Sequence, residues 1–401
     1  MELLTFLGTG NYQTTCYTWQ NQSKETPYVA DALVDFFSPQ AVKAFVTPEA
    51  KAKHGETFSQ SLNCDLTLIE IPSGKSEAEI WEIFEAVVNA VEANSEISFD
   101  ITHAFRSLPL LVLLAGAFLQ KARNVTIKGV YYGAFEVDRE QPPIFELTPA
   151  MKLLDWLTAT DKFLTTGSAV ELGELLATVQ SDFYRQSKPK KGDFRPQQLR
   201  KFGDSILKLS QSLEYVRVMD SLNASAELEN LSTERLTEEV GVFAKPFELL
   251  LTPIQEAYGQ FAVTDSRNAD LKLVLEKQFL LLRWYVSKQL GTQAILLARE
   301  WIVSAFCYWE NLNYLETTER RTIEDQLGRT IGKEGTFNEP IIRHVSDPQL
   351  LSNTWSKLVE YRNDIAHCQK RKTSISAERL GKYVNQKLLE ELATLFPDFA
   401  I

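Results

Sequence analysis

The stretch Ile97–Phe135, ISFDITHAFRSLPLLVLLAGAFLQKARNVTIKGVYYGAF, decides the fold of the first part of the chain. Ile97–Ile101 is a short apolar segment that reads as a strand, and Ala104–Ala122 is long and apolar enough for a buried helix. Val125–Phe135 is dense in β-branched and aromatic residues and reads as the next strand. Strand, helix, strand in that order implies a parallel sheet covered on both faces. In such sheets a ligand sits in the crevice at the carboxyl ends of the strands.

The same grammar extends towards the N-terminus. Leu3–Leu7 is an apolar strand broken by Gly8-Thr9-Gly10-Asn11; Asp31–Phe37 begins a mixed apolar stretch; Leu66–Ile71 is a strand ended by Pro72-Ser73-Gly74. Ser76–Ala93 is an amphipathic helix, with Ile80, Ile83, Phe84, Val87, Val88 and Val91 at helical spacing. Ser76 is its expected N-cap, with Glu79 three residues on.

From Pro149 onward strand signals give way to long helical periodicities: Pro149–Lys162, Ala169–Arg185, Gln197–Leu222, Pro246–Phe261, Leu271–Leu290, Thr292–Asn311 and Leu350–Cys368. The expected fold class is therefore α/β plus all-α: a Rossmann-like parallel-sheet domain over 1–148 and a helical region over 149–401, divided near Glu146–Met151. Ser187–Lys201 is a basic, Pro- and Gly-containing loop inside the helical part, read either as a solvated loop or as a guide for RNA.

Composition narrows the function classes. The 401 residues are 44% hydrophobic and 24% charged, ordinary globular values that supply a core without disulfide or metal staples. Cys16, Cys64, Cys307 and Cys368 form no C-x-x-C pair and no zinc spacing, which fits free thiols in a reducing compartment. The start has no signal-peptide pattern, and the longest apolar run, Leu108–Leu119, is too short to span a bilayer, so the expectation is a cytoplasmic protein without membrane contact. The net charge of −11 argues against gripping long nucleic acid by charge alone; contact with RNA must come from a local basic site.

Two loops of the first domain are candidate ligand contacts. In Gly8-Thr9-Gly10-Asn11 the glycines allow a tight turn with N–H groups open to an anion, and Thr9 and Asn11 add polar side chains. The alternative is a plain chain reversal; no third glycine follows at Gln13, so the dinucleotide fingerprint is not met, which counts against a metabolic Rossmann enzyme. In Asp100–Ser107, Thr102, His103 and Arg106 gather at a helix N-terminus suited to phosphate; the alternative is a capped helix with His103 as a satisfied buried group. His54 and His344 fit no motif and are read as structural.

Chemistry in the helical region centres on Arg362-Asn363-Asp364-Ile365-Ala366-His367. Asn363 and His367 are four apart and share a helical face, while Arg362 lies about 140° round the helix from His367. An imidazole moves protons near neutral pH, and a guanidinium stabilises the charge that builds on a phosphate attacked by a ribose 2′-OH. Asn363 would orient the imidazole or hold an oxygen, and no metal is required. Against this stands the plain reading of a surface arginine, an aspartate ion pair and a packed histidine.

FLGTGNY near the start, DITHAFRSLP after a central strand and RNDIAHC near the end together resemble the type III CRISPR-associated ribonucleases, in which a CARF domain (a CRISPR-associated Rossmann fold) precedes a HEPN domain. The resemblance covers both ends; the middle, about 150–340, matches only in being helical. It implies a homodimer or higher homo-oligomer that binds a cyclic oligoadenylate, with cyclic tetra-adenylate the expected activator, and then degrades single-stranded RNA without a metal or other cofactor. By match, Thr9, Gly10, Asn11, Thr102, His103 and Arg106 fall in the ligand loops, Gly8 beside them, and Arg362 and His367 on the catalytic pair formed between two subunits. Slow cleavage of the activator by the CARF domain, supported by Thr9, Thr102 or His103, is an open option, and Ala104 stands where similar loops often have glycine. The alternative function is a non-catalytic nucleotide sensor whose helical domain binds a partner.

Overall fold

The computed structural model describes all residues except 104–107, 188, 191, 232, 330–340, 342, 371 and 401. The chain divides into two compact units, Met1–Asp155 and Trp156–Ile401.

The first unit runs β1 (Glu2–Leu7), β2 (Thr15–Trp19), β3 (Gln22–Thr26), α1 (Val29–Phe37), β4 (Ala41–Val46), α2 (Pro48–Ser61), β5 (Asp65–Glu70), α3 (Glu77–Asn89), β6 (Glu96–Asp100), α4 (Leu108–Arg123), β7 (Thr126–Gly133) and β8 (Ile144–Glu146). The six-stranded sheet has the order β5-β4-β1-β6-β7-β8. All its pairs are parallel except β7 with β8; β2 and β3 form a separate antiparallel hairpin.

The strands are apolar on both faces because both faces are covered. On β1, Leu4 and Phe6 join one core with Ile83, Val87 and Ala115 of α3 and α4. Leu3 and Leu7, alternate in the pleat, join another with Val29, Leu33 and Phe58 of α1 and α2. On β4 the same alternation sends Phe45 one way and Val42, Ala44 and Val46 the other. Ser76 caps α3 by accepting from the Glu79 amide, as expected. The chain leaves β1 for β4 and β5 on one side and for β6 and β7 on the other, so the strand order reverses between β1 and β6.

Helix α5 (Thr148–Thr166) leads into a second unit whose described elements are all helices: α6 (Val170–Gln186), α7 (Leu199–Glu214), α8 (Val218–Leu231), α9 (Glu234–Phe243), α10 (Lys245–Gly259), α11 (Leu271–Ser287), α12 (Gly291–Trp309), α13 (Thr317–Arg329) and α14 (Pro348–Ala366), then α15 (Ala377–Tyr383), which continues through one π-helical turn, Val384–Leu388, into α16 (Leu389–Leu395). α12 is buried on nearly every side from Ala294 to Cys307, as its all-round apolar sequence requires. α6 and α7 cross where Gly173 faces Gly203; a Cβ on Gly173 would stand 3.3 Å from the Gly203 carbonyl oxygen.

Several elements differ from the expectation. Asp31–Phe37, left as a mixed apolar stretch, lies in α1, which ends on Ser38 with φ +48°. The continuous helix expected over Gln197–Leu222 is two helices, broken at Tyr215–Arg217 with Val216 at φ +55°. β2, β3, β4, α2, β8, α9, α13 and the C-terminal helices carried no reading at all. No described helix is long and apolar enough to cross a membrane.

Candidate functional site

Where the strand order reverses, the carboxyl ends of β1, β6 and β7 open on a cavity of about 300 Å³. This is the position at which a doubly wound sheet holds its ligands. Its lining includes Asn11, Thr102 and His103, three of the sequence-predicted residues, with Tyr12, Gln13, Tyr17, Tyr132, Gly133 and Glu136.

Asp100, the last residue of β6, is fully buried and ties the three strand ends together. Its carboxylate accepts from the Thr5 hydroxyl at 2.7 Å, the Thr102 amide at 2.9 Å and the Thr102 hydroxyl at 2.6 Å. The Thr102 oxygen in turn accepts from the Gly133 amide at 2.8 Å. Gly133 ends β7 against this knot, and a Cβ there would meet Val29 at 2.5 Å and Tyr17 at 3.0 Å. Thr102 is thus placed by backbone and carboxylate together, its methyl and not its hydroxyl left free.

His103 follows. It is half-buried, yet its Nε2 is sealed from solvent and has no hydrogen-bond partner among the described residues. Burial holds its pKa below the ordinary histidine value; Asp100 opposes that shift and His54 adds to it. The imidazole is therefore neutral, with an unspent nitrogen at the cavity. The satisfied buried histidine weighed from sequence is not what the fold provides.

The first loop is organised differently from the sequence reading. Neither Gly8 nor Gly10 has a positive φ. Gly8 is needed for closeness, since a Cβ would stand 3.2 Å from the His103 carbonyl oxygen. Its amide is not open to an anion: it donates to the Tyr12 hydroxyl at 2.8 Å, which donates back to the Gly8 carbonyl at 2.9 Å. Thr9, Gly10 and Asn11 are exposed, and the loop's oxygens point towards α2. Lys53 donates to the Thr9 carbonyl at 2.8 Å and to Asn11 Oδ1 at 2.7 Å, and His54 Nε2 donates to the Gly10 carbonyl at 2.7 Å. Of this loop Asn11 lines the cavity, and Gly8, Thr9 and Gly10 are not in its lining. Arg106 lies outside the described residues, as does Ala104.

Sequence reasoning missed the aromatic wall. The Tyr12 ring lies between His54, 4.7 Å away, and His103, 4.3 Å away. Burial pushes the Tyr12 and Tyr17 phenols up to about 12, so both remain neutral donors. Across the cavity Tyr132 donates to Glu136 at 2.6 Å, a bond that holds the glutamate below its usual range. Planar rings beside hydrogen-bonding groups suit nucleobases. Lys53 and His54 come from a helix with no sequence signal linking it to the loop.

In the second unit α14 carries the Arg362–His367 element. Pro348 opens the helix, and Asp347 caps it by accepting from the Leu350 amide at 2.9 Å. Its buried stripe is Leu351, Thr354, Trp355, Leu358 and Tyr361. Asp364 continues that stripe three residues on and is buried, so it is not the surface ion-pair partner of the plain reading. One Asp364 oxygen accepts from the Ile375 amide at 3.3 Å, and the other has no partner among the described residues. Arg362 and Asn363 are half-buried, and Arg362 donates to Asn363 Oδ1 at 2.9 Å. His367 is exposed, the first residue past the helix, its amide held by the Asn363 carbonyl at 3.0 Å. Asn363 therefore bonds the arginine through its side chain and the histidine through its backbone. His344, read as structural, stacks on Trp309 and donates to Glu310 at 2.7 Å.

Comparison with known proteins adds a match in the stretch that sequence reading placed only as helical. Residues 152–266 match the family model described as "CRISPR-associated protein MJ1674, second domain". CRISPR-associated protein MJ1674 of Methanocaldococcus jannaschii is 36% identical over 111 residues, 26% of this chain and 18% of that protein. This chain thus spans about a fifth of the length of the curated relative it matches. Among solved structures, Enterococcus italicus Csm6 bound to cyclic hexa-2′-fluoro-hexa-dAMP aligns over 99% of this chain and 94% of its own at 10% identity, with a TM-score of 0.41.

Proposed function

We propose that the chain is a CARF–HEPN protein and a cyclic-oligoadenylate-activated, metal-independent endoribonuclease of type III antiviral defence, a reading supported by the match of residues 152–266 to the second domain of a CRISPR-associated protein. The first unit is the sensor. Asn11, Thr102 and His103 face a ring of adenylates whose bases pack on Tyr12 and Tyr132.

The observation that carries the catalytic half is the placement of Arg362 and His367 about one and a half helical turns apart where α14 ends, linked through Asn363. In cleavage the ribose 2′-oxygen bonds to phosphorus as the bond to the 5′-oxygen breaks. His367 moves the proton, and Arg362 holds the non-bridging oxygens as charge builds on them. The products are a 2′,3′-cyclic phosphate and a 5′-hydroxyl. Two copies of the chain, paired, supply two such elements to one site.

The test is cleavage of labelled single-stranded RNA with cyclic tetra- or hexa-adenylate, in EDTA. Arg362→Ala and His367→Ala are expected to lose on the order of 10²-fold or more in rate while binding the activator as before. Full activity in the double variant overturns the site; activator binding by the wild type without any cleavage makes the chain a non-catalytic sensor.

A further inference from the structure

The second unit holds another cavity, of about 370 Å³, remote in sequence from the Arg362–His367 element. The turn between α7 and α8 and the start of α8 form part of its wall; α11, α12 and α13 and the segments that precede α11 and α13 contribute the rest. Arg217, Arg267 and Arg320 bring three guanidinium groups to it, against two carboxylates, Asp220 and Glu300. A locally cationic cavity in a chain of net charge −11 runs against the whole-molecule field.

The three arginines are not equivalent. Arg320 is fixed: it donates to Ser304 Oγ at 3.2 Å and to the Tyr314 carbonyl at 3.1 Å, and it pairs with Glu300. Glu300 is shared with Arg299 as well, so its charge is spent within the protein. Arg217 and Arg267 are exposed, and among the described residues neither forms an ion pair. Two unspent cations thus flank one that is held in place.

The backbone at the cavity is strained. Val216 takes φ +55°, the left-handed position that closes α7, where the Arg217 amide reaches back to the Ser212 carbonyl at 2.8 Å. Glycine is the ordinary residue there, and a β-branched residue pays the full steric penalty. The strain delivers Val216 to the cavity wall and starts α8 there, with the first-turn residues Val218, Met219 and Asp220 in the lining. Leu297 and Leu315 extend the apolar part of that lining.

Cations that seek an anion, next to an apolar wall, in a volume at the lower end of small-ligand sites, describe one ligand chemistry. We propose that this cavity binds the phosphate of a nucleotide, either free or at the end of an RNA strand, with Arg217 and Arg267 gripping the phosphate, Arg320 as the fixed third cation, and sugar and base on the apolar side. The site is separate from the sensing cleft and stands independently of the ribonuclease reading.

Calorimetric titration of the full chain with inorganic phosphate, AMP, and a short oligoribonucleotide with and without a 5′-phosphate tests it. Expected is phosphate-dependent binding that weakens with added salt and drops by about tenfold or more in Arg217→Ala and in Arg267→Ala. Asn11→Ala, in the other cleft, leaves it unchanged. Both arginines are exposed, and wild-type melting temperatures of the variants will show that the fold is kept. AMP binding identifies a free nucleotide; binding of the phosphorylated strand alone identifies an RNA end. Absence of phosphate-dependent binding at millimolar ligand, or binding unmoved in the Arg217→Ala/Arg267→Ala double variant, overturns the proposal.

Discussion

Asp100→Ala tests whether one carboxylate assembles the cleft at the strand ends of the first unit. The wild-type side chain is fully buried and accepts three hydrogen bonds at 2.6–2.9 Å. Bonds to a charged acceptor contribute about 1.5–3 kcal/mol each, but burying the carboxylate costs several kcal/mol. The net loss on truncation is then set mainly by what is stranded: the Thr102 amide and the Thr5 hydroxyl, at about 1–3 kcal/mol each. A local destabilisation of about 3 kcal/mol follows. Asp100→Asn keeps one carbonyl oxygen for the Thr102 amide and should cost about half as much. Because the chain divides into two units, a single global unfolding energy would mix them. Native-state hydrogen exchange at the Thr102 and Gly133 amides reads the cleft directly. Protection should fall about 10²-fold in Asp100→Ala and about tenfold in Asp100→Asn. Wild-type protection of both amides in Asp100→Ala would refute the reasoning, because the strand ends would then be held by something other than this carboxylate.

Two further perturbations follow from buried groups. Burial lowers the pKa of His103 in the folded state, so the unfolded state binds the extra proton; the stability it contributes is present above the ordinary histidine range, about 6.5, and is lost as pH falls below it. Thermal melts of the first unit's transition should show a decline below about pH 6.5 that His103→Gln flattens; an identical decline in the variant would assign the proton elsewhere. Glu239, fully buried, accepts from the Gln197 and Gln198 amides at 2.9 and 2.7 Å and from Arg235 at 2.9 Å, fixing the start of α7. Since Arg235 is over a third exposed, its share is small. Glu239→Ala should therefore cost about 2–3 kcal/mol, mostly from two stranded amides, measured as a shift of the second unit's thermal midpoint; a shift equal to that of a surface control such as Glu238→Ala would show the amides find other acceptors.

How much of this was legible follows from how local each signal is. β5, a partly exposed edge strand, is read from Leu66, Leu68 and Ile69; β1, β6 and β7 are read from sequence because they lie inside the sheet and are largely buried, which leaves near-continuous apolar runs. β4 has the same burial, but Lys43 interrupts it; the structure resolves the conflict by carrying the ammonium to Glu2 and to the Ala90 carbonyl. The break between α7 and α8 falls on Val216, with neither glycine nor proline to announce it. The hairpin β2–β3 turns at Gln20, φ +52°, where an Asn-Gly pair would have given notice.

The same rule separates what could be foreseen in the cleft from what could not. Thr102 and His103 follow directly from a strand end, and strand ends are local facts. The partners that give them meaning are not: Thr5 is 95 residues from Asp100, and Lys53 is 42 from Asn11. Asp364 shows the reverse case. Its neighbours in sequence place it in a polar cluster, while the i, i+3 rhythm from Leu358 and Tyr361 places it in the core, and the rhythm decides. A polar residue on the buried stripe of a helix must find its partners in the segment that follows, and Asp364 takes the Ile375 amide eleven residues on. That bond closes the loop that begins at His367. The position of the exposed imidazole thus depends on a buried carboxylate that a motif search for arginine and histidine passes over.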